Sequence, residues 1–252
     1  MGEIFVACDL DNTLIHSKKN RRPDDCCIEE IAQAESSFMS GKTIELLQYV
    51  VAHSLFVPVT TRSKEQYLRI RWPEGCQPHY ALTNNGAILL EDNRENISWR
   101  EQSLANASQY VPQLKTLCRE MSDSGRFKHC NIIEGMYIYA CCEDGVDSAS
   151  YLTEFNRKTA LKLFASGKKM YAFPPLIEKR TAIERFKEFN FPIDIMIAAG
   201  DDAIDINMLN AADIALVPNE QMAKSVSAKS VLVCGEDELF SEFLLKKIIE
   251  KT

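Results

Sequence analysis

The chain has 252 residues, 46% hydrophobic and 26% charged, with a net charge of −7 and a pI of about 5.3. That length holds one large domain or two small ones with a full core, and the acidic balance argues against a nucleic-acid or anionic-membrane partner. No apolar run reaches the roughly 18 residues of a membrane span, and Glu3, Asp9 and Asp11 interrupt what a secretory leader would need, so a cytoplasmic location is the expectation. Nine cysteines without a CxxC spacing read as reduced thiols, and the four histidines form no ligand cluster.

Ile4-Phe5-Val6-Ala7-Cys8 is an unbroken apolar run and reads as a strand buried on both faces. It ends in Asp9-Leu10-Asp11-Asn12-Thr13. Two carboxylates one residue apart, at the carboxyl end of a strand, attract a hard cation and can divide nucleophilic and acid/base work. The competing reading is an Asp-rich turn. Residues 17–40 are polar and irregular, an excursion over the site, with Lys18, Lys19, Arg21 and Arg22 as solvated charges. Ser40-Gly41 opens a helix with Ile44, Leu47 and Val50 on its apolar face. Residues 54–59 form a second buried strand that stops at Thr60-Thr61-Arg62, a helix of about 64–70 follows, and Tyr80-Ala81-Leu82-Thr83 is a third strand ending in Asn84-Asn85-Gly86.

From 87 to 173 the texture changes. Short strands are expected at 88–90 and 97–99, a helix at about 105–122, a hairpin of 127–133 and 136–142 through Glu134-Gly135, a helix at about 147–158, and strands 161–165 and 169–173 through Ser166-Gly167. This order predicts an α+β unit with an antiparallel sheet. Beyond a hinge at Pro174-Pro175 the alternation of helix and buried strand returns: helix 179–189, strand 193–199 closed by Gly200-Asp201-Asp202, helix 204–211, strand 214–217 and a last helix near 237–250. The expected fold is therefore a Rossmann-like α/β core with a parallel sheet, residues 1–86 and 174–252, interrupted by an inserted α+β cap of residues 87–173. An insertion placed there forms a lid over the strand ends.

Taken together, Asp9-Leu10-Asp11-Asn12-Thr13, Thr60 at a strand end, Lys179 at a helix start and Gly200-Asp201-Asp202-Ala203-Ile204-Asp205 resemble the four motifs of the haloacid dehalogenase (HAD) superfamily, in order. Thr60-Thr61-Arg62 and Asn85-Gly86-Ala87 narrow the resemblance to the subgroup with a C2B-type cap, which includes Cof-type and sucrose-phosphatase-like enzymes. The resemblance implies a Mg²⁺-dependent phosphatase acting on a small phosphate ester, with a sugar phosphate first among substrates. It implies Asp9 as nucleophile, Asp11 as acid/base and Lys179 as the neutralising cation. Asp9, Asp201 and the Asp11 carbonyl become metal ligands, and Asp205 joins the metal site through bound water. Thr60, Thr61, Arg62 and Asn85 fall at phosphate- or substrate-binding positions. A phosphomutase or a non-catalytic phospho-ligand-binding protein of the same fold are the alternatives.

Four positions depart from the subgroup: Asn12 for the commoner Gly, Thr61 for the Gly of Thr-Gly-Arg, Ile204 for Asn, and Arg180 for Gly. They leave the carboxylates in place. Structural readings stand beside the functional ones: Lys179 as a helix-surface lysine, Thr60 as a helix N-cap, Asp202 as a bystander, Arg62 as a surface charge, Asn85 as a turn residue, and Tyr137 and Tyr139 as cap packing.

Overall fold

The computed structural model describes residues 3–156, 159–189 and 193–252. At its centre lies the strand Glu3–Cys8, buried from Phe5 onward. Successive side chains of a strand point to opposite faces. Val6 and Cys8 enter one apolar cluster with Leu47, Val50, Leu244 and Ile248, while Phe5 and Ala7 enter another with Ile183, Phe186, Met208 and Leu209. Helices Gly41–His53 and Phe240–Ile249 thus cover one face, and Lys179–Lys187 and Ile206–Asn210 the other. A strand covered on both faces has no polar position to spare, which is why its sequence is unbroken rather than alternating. Each large apolar side chain fully buried this way contributes about 1.5–3 kcal/mol.

Five parallel strands form the core sheet in the order Ser230–Val233, Ile214–Val217, Ile193–Ala199, Glu3–Cys8, Leu55–Pro58. From Glu3–Cys8 the chain moves to Leu55–Pro58 on one side and returns to Ile193–Ala199 on the other. Strand order reverses there, and the crevice outside such a switch point is where open α/β sheets bind ligands. Cys8 is in register with both Ala199 and Pro58, so Asp9, Asp201 and Thr60 leave the sheet at one edge. Backbone hydrogen bonds hold those exits, Asp9 N to Ala199 O at 2.9 Å and Val59 N to Cys8 O at 2.8 Å.

A separate antiparallel sheet has the order Lys162–Ser166, Lys169–Phe173, Tyr137–Cys142, Phe127–Ile133. Ile138, Ala140, Cys142, Met170 and Ala172 turn one face onto Leu114, Leu117 and Met121 of helix Val111–Asp123 and Phe155 of helix Ser148–Asn156. The intervening residues form an aromatic face: Tyr139 and Tyr171 meet across the strands at 5.5 Å between ring centroids, and Tyr171 stacks on Phe173 at 5.6 Å.

Several elements differ from the sequence expectation: the core strand Ser230–Val233 has no counterpart in it, and the helix expected at 105–122 is split into Ile97–Ser108 and Val111–Asp123. Residues 97–99 open the helix Ile97–Ser108, capped by Asn96, whose side chain accepts from Trp99 N at 2.9 Å. Three alternating residues are too few to separate a strand from a helix turn. Strand Ile88–Glu91 pairs with Tyr80–Thr83 and Arg94–Glu95 in its own small sheet, not with the cap sheet. The excursion at 17–40 contains a hairpin, Cys26–Ile31 with Ala34–Met39, turned through Ala32 and Gln33 at φ 49° and 66°. Ala-Gln lacks the Asn-Gly signature of such a turn and gave no warning of it.

Candidate active site

Asp9 stands at the end of the central strand, 7% exposed. Lys179, the first residue of its helix, is 1% exposed and bridges two carboxylates: Nζ donates to Asp9 Oδ1 at 2.5 Å and to Asp205 Oδ1 at 2.6 Å. This burial excludes a helix-surface lysine. The second oxygen of Asp205 accepts from the N–H groups of Asp201 at 3.1 Å and Asp202 at 3.0 Å, which fixes the loop after the strand. Gly200 makes that closure possible, because a Cβ there would lie 2.5 Å from Asp205 Cβ. Thr13 Oγ1 donates to Asp201 Oδ1 at 2.8 Å. Asn12 takes φ 60°, a left-handed conformation that Asn tolerates and Gly adopts freely.

Asp9, Asp201 and Asp205 each place a carboxylate oxygen within 4.8 Å of the others. Burial, then the neighbouring Asp205 charge, pushes Asp201 up to about 7. Burial likewise holds Asp9 well above the usual carboxylate range, with Lys179 opposing it. Burial works against the Lys179 charge, yet Asp205 and Asp9 together hold its ammonium above the ordinary lysine range. One ammonium faces three carboxyl groups, and the raised Asp9 and Asp201 reflect negative charge that would stand unmatched on these oxygen donors once both ionise. That chemistry fits a hard divalent cation such as Mg²⁺.

Asp11 turns outward. Arg62 grips it with two hydrogen bonds, Nε to Oδ2 at 2.9 Å and Nη2 to Oδ1 at 2.7 Å. Burial would raise the Asp11 carboxyl, but these bonds and the Arg62 charge outweigh it and leave it below the usual range. The other end of Arg62 is anchored by the hairpin of the excursion: Nη1 donates to Glu29 Oε2 at 2.9 Å and Nη2 to Ser37 Oγ at 3.2 Å, while Ser37 Oγ donates to Glu29 at 2.6 Å. Arg69 Nε supports the remaining Glu29 oxygen at 3.1 Å. Glu29 and Ser37 had no signal in the sequence, since which strand residues face the site depends on a register that only the folded hairpin sets.

Thr60 is 1% exposed, and its Oγ1 accepts from Arg62 N at 3.1 Å, so the hydroxyl proton is available to another acceptor. It caps no helix, since Ser63 caps Lys64–Tyr67. Thr61 lines the cavity floor. Asn85 lies behind the site instead: fully buried at φ 58°, it donates from Nδ2 to Ile177 O at 3.0 Å and lines neither cavity described below. Asp202 serves its own helix, accepting from Ala203 N at 2.6 Å.

A pocket of about 90 Å³ holds Asp9, Asp201 and Asp205, and a cavity of about 470 Å³ adjoins it. Asp11, Thr61, Lys169 and Tyr171 line both spaces. The larger one is walled by Arg62, Glu65 and Gln66 from the core side and by Glu134, Tyr137 and Tyr139 from the antiparallel sheet. Tyr137 also packs on Phe173 at 4.9 Å between ring centroids, so it is both packing and lining.

No protein-family model and no curated protein sequence matches the chain. Solved structures do. A sucrose-phosphatase from Synechocystis sp., in complex with sucrose and phosphate, superposes with a TM-score of 0.68 at 14% identity over 99% of this chain and 98% of that one. A phosphatase of the haloalkanoate (HAD) enzyme superfamily from Bacteroides thetaiotaomicron gives 0.60 at 14% identity, covering 98% and 95%. A haloacid dehalogenase-like hydrolase from B. subtilis gives 0.59 at 16% identity, covering 96% and 98%. With a parallel core, an inserted antiparallel sheet and the acidic cluster at the strand switch point, this chain has the fold of the haloacid dehalogenase superfamily.

Proposed function

We propose that this chain is a Mg²⁺-dependent phosphomonoester hydrolase that acts on a phosphorylated sugar and carries the phosphoryl group transiently on Asp9. One observation carries the reading: the buried Asp9–Lys179–Asp205 bridge, beside Asp201, at the floor of a capped cavity. Structural neighbours named as a sucrose-phosphatase and as a trehalose-6-phosphate phosphatase related protein, the latter at a TM-score of 0.55 and 16% identity, support a sugar as the alcohol. So does the lining, where Tyr139 and Tyr171 offer ring faces and Glu65 and Glu134 accept hydroxyl protons.

Asp9, Asp201 and the Asp11 carbonyl would hold Mg²⁺, with Asp205 steadying its water; when bound, the ion offsets the repulsion between carboxylate and phosphate. The carboxylate of Asp9 attacks phosphorus in line, the bond from phosphorus to the sugar oxygen breaks, and Asp11 gives that oxygen a proton. Water then attacks the phosphorus of the aspartyl-phosphate while Asp11 takes the water's proton, releasing inorganic phosphate and regenerating Asp9. The two Arg62 bonds favour ionised Asp11, the form this second step requires, so the first step needs that pair to open and Asp11 to take up a proton as substrate enters. The Thr60 hydroxyl donates to a phosphoryl oxygen, and Lys179 balances the charge on Asp9.

The test is phosphate release from a panel of sugar phosphates with Mg²⁺. We expect release that chelation abolishes and that Asp9→Asn lowers by about 10³-fold or more. Isomerised product without free phosphate would assign a mutase instead. Unchanged turnover in Asp9→Asn would remove the nucleophile assignment.

A further inference from the structure

All nine cysteines are free thiols. Two of them, far from the acidic cluster, meet inside the cap. Cys118 lies on helix Val111–Asp123 and Cys130 on strand Phe127–Ile133, the edge strand that this helix covers. Their sulfurs are 3.3 Å apart, and Cys118 Sγ also faces the Cys130 carbonyl at 3.5 Å. Among the described residues no other pair of thiols is in such contact: the remaining hydrogen-bonded cysteines turn their sulfurs to backbone carbonyls. Both members of the pair are partly open to solvent rather than sealed in the core.

We infer that Cys118 and Cys130 form a reversible redox site, closed to a disulfide by a small-molecule disulfide such as oxidised glutathione. A separation of about 3–3.5 Å is that of a near-attack pair, so the second bond-forming step is intramolecular and already oriented. The Cys118 thiolate attacks one sulfur of the reagent, forming a mixed disulfide and expelling one glutathione thiolate. The Cys130 thiolate then attacks Cys118 Sγ, the mixed disulfide breaks, and the second glutathione leaves. Two protein thiols lose two protons and two electrons, and one glutathione disulfide becomes two glutathione thiols. Burial holds the Cys130 thiol well above the ordinary range, which favours this order of attack over its reverse.

Closure would join the helix on the back of the cap sheet to the strand beside Tyr137–Cys142, whose Tyr137 and Tyr139 wall the large cavity. Oxidation would thus stiffen the wall that meets the ligand. It requires no particular substrate, so its test is independent of the phosphatase reading.

The experiment exposes the intact protein to oxidised glutathione, quenches with acid, alkylates free thiols and maps the tryptic peptides. We expect Cys118 and Cys130 to be lost from the alkylated pool and recovered as one cross-linked species, with fragmentation placing the bridge on Cys130 rather than Cys141 or Cys142. Dithiothreitol restores both thiols, and Cys118→Ser lacks the cross-link while keeping the reduced protein's circular dichroism. Exposed Cys26, which gains a glutathione adduct, reports that the oxidant was active. Full alkylation of both cysteines in a sample where Cys26 is modified overturns the inference, as does a bridge mapped to any other pair.

Discussion

At the scale of single residues, the acidic cluster depends on positions that tolerate no added atom. A Cβ on Gly200 would meet Asp205 Cβ at 2.5 Å, and one on Gly86, at φ 88°, would meet Ala182 Cβ at 2.3 Å. Gly200→Ala should cost about 1–3 kcal/mol in urea unfolding and weaken Mg²⁺ binding, because the displaced group is a member of the cluster itself. A cost within error would show that the loop relaxes freely. Asp201 supplies a pH signature. Its folded pKa of about 7 lies above an unfolded value near 3.9, so the fold favours the protonated form. Its contribution to stability is complete below about pH 4 and is lost as pH rises through 7. Metal-free protein should therefore lose Tm between pH 5 and pH 8 relative to Asp201→Asn, by about 5 °C or more, and Mg²⁺ should restore it by binding the ionised form. Parallel curves for the two proteins would contradict the assignment. Of these residues, the sequence showed which were chemically able; it did not show that Asn85 ties loops together while Glu29 reaches the site.

Among elements, the hairpin Cys26–Ile31 and Ala34–Met39 bears on the chemistry without supplying a proposed catalytic group. It delivers Glu29, 1% exposed, to Arg62, and Arg62 in turn aims Nε and Nη2 at Asp11, with Nη2 also held by Ser37 of the hairpin. Glu29→Gln keeps the shape and removes the charge, leaving the Arg62 guanidinium partly unpaired in a buried place. We expect a loss of about 3 kcal/mol in stability and a drop in kcat larger than any change in KM. An unaltered kcat would mean that Arg62 holds Asp11 without help from the hairpin. This element was illegible beforehand because its turn residues, Ala32 and Gln33, are ordinary ones held at positive φ by the surrounding fold.

Across the whole molecule, the antiparallel sheet is tied to its surroundings through a few polar contacts. Arg100 Nη2 donates to Glu134 Oε2 at 3.0 Å, Lys162 Nζ to Glu178 Oε2 at 2.6 Å, and Asn84 Nδ2 to the Tyr137 hydroxyl at 3.4 Å. Arg100 and Lys162 are partly exposed, and ion pairs of that kind contribute at most about 1 kcal/mol each. Arg100→Ala with Lys162→Ala should leave Tm nearly unchanged while speeding hydrogen exchange in the turn at 133–136 and raising KM. Unchanged exchange in that turn would mean that aromatic packing, rather than charge, seats the cap.

The amino-acid sequence by itself determined four of the five core strands, the polar groups that end them, the order of those groups and the change of texture at the insertion. Each of these is local: an apolar run, a periodicity of two or 3.6, a turn residue. Only the tertiary structure decided that Lys179 closes on Asp9 across 170 residues of chain, that Arg62 turns to Asp11 and Glu29, and that the cap sheet presents its tyrosines to the cavity. Those outcomes rest on strand register and on the packing of distant surfaces, and a shift of one residue would send the same side chains to the opposite face.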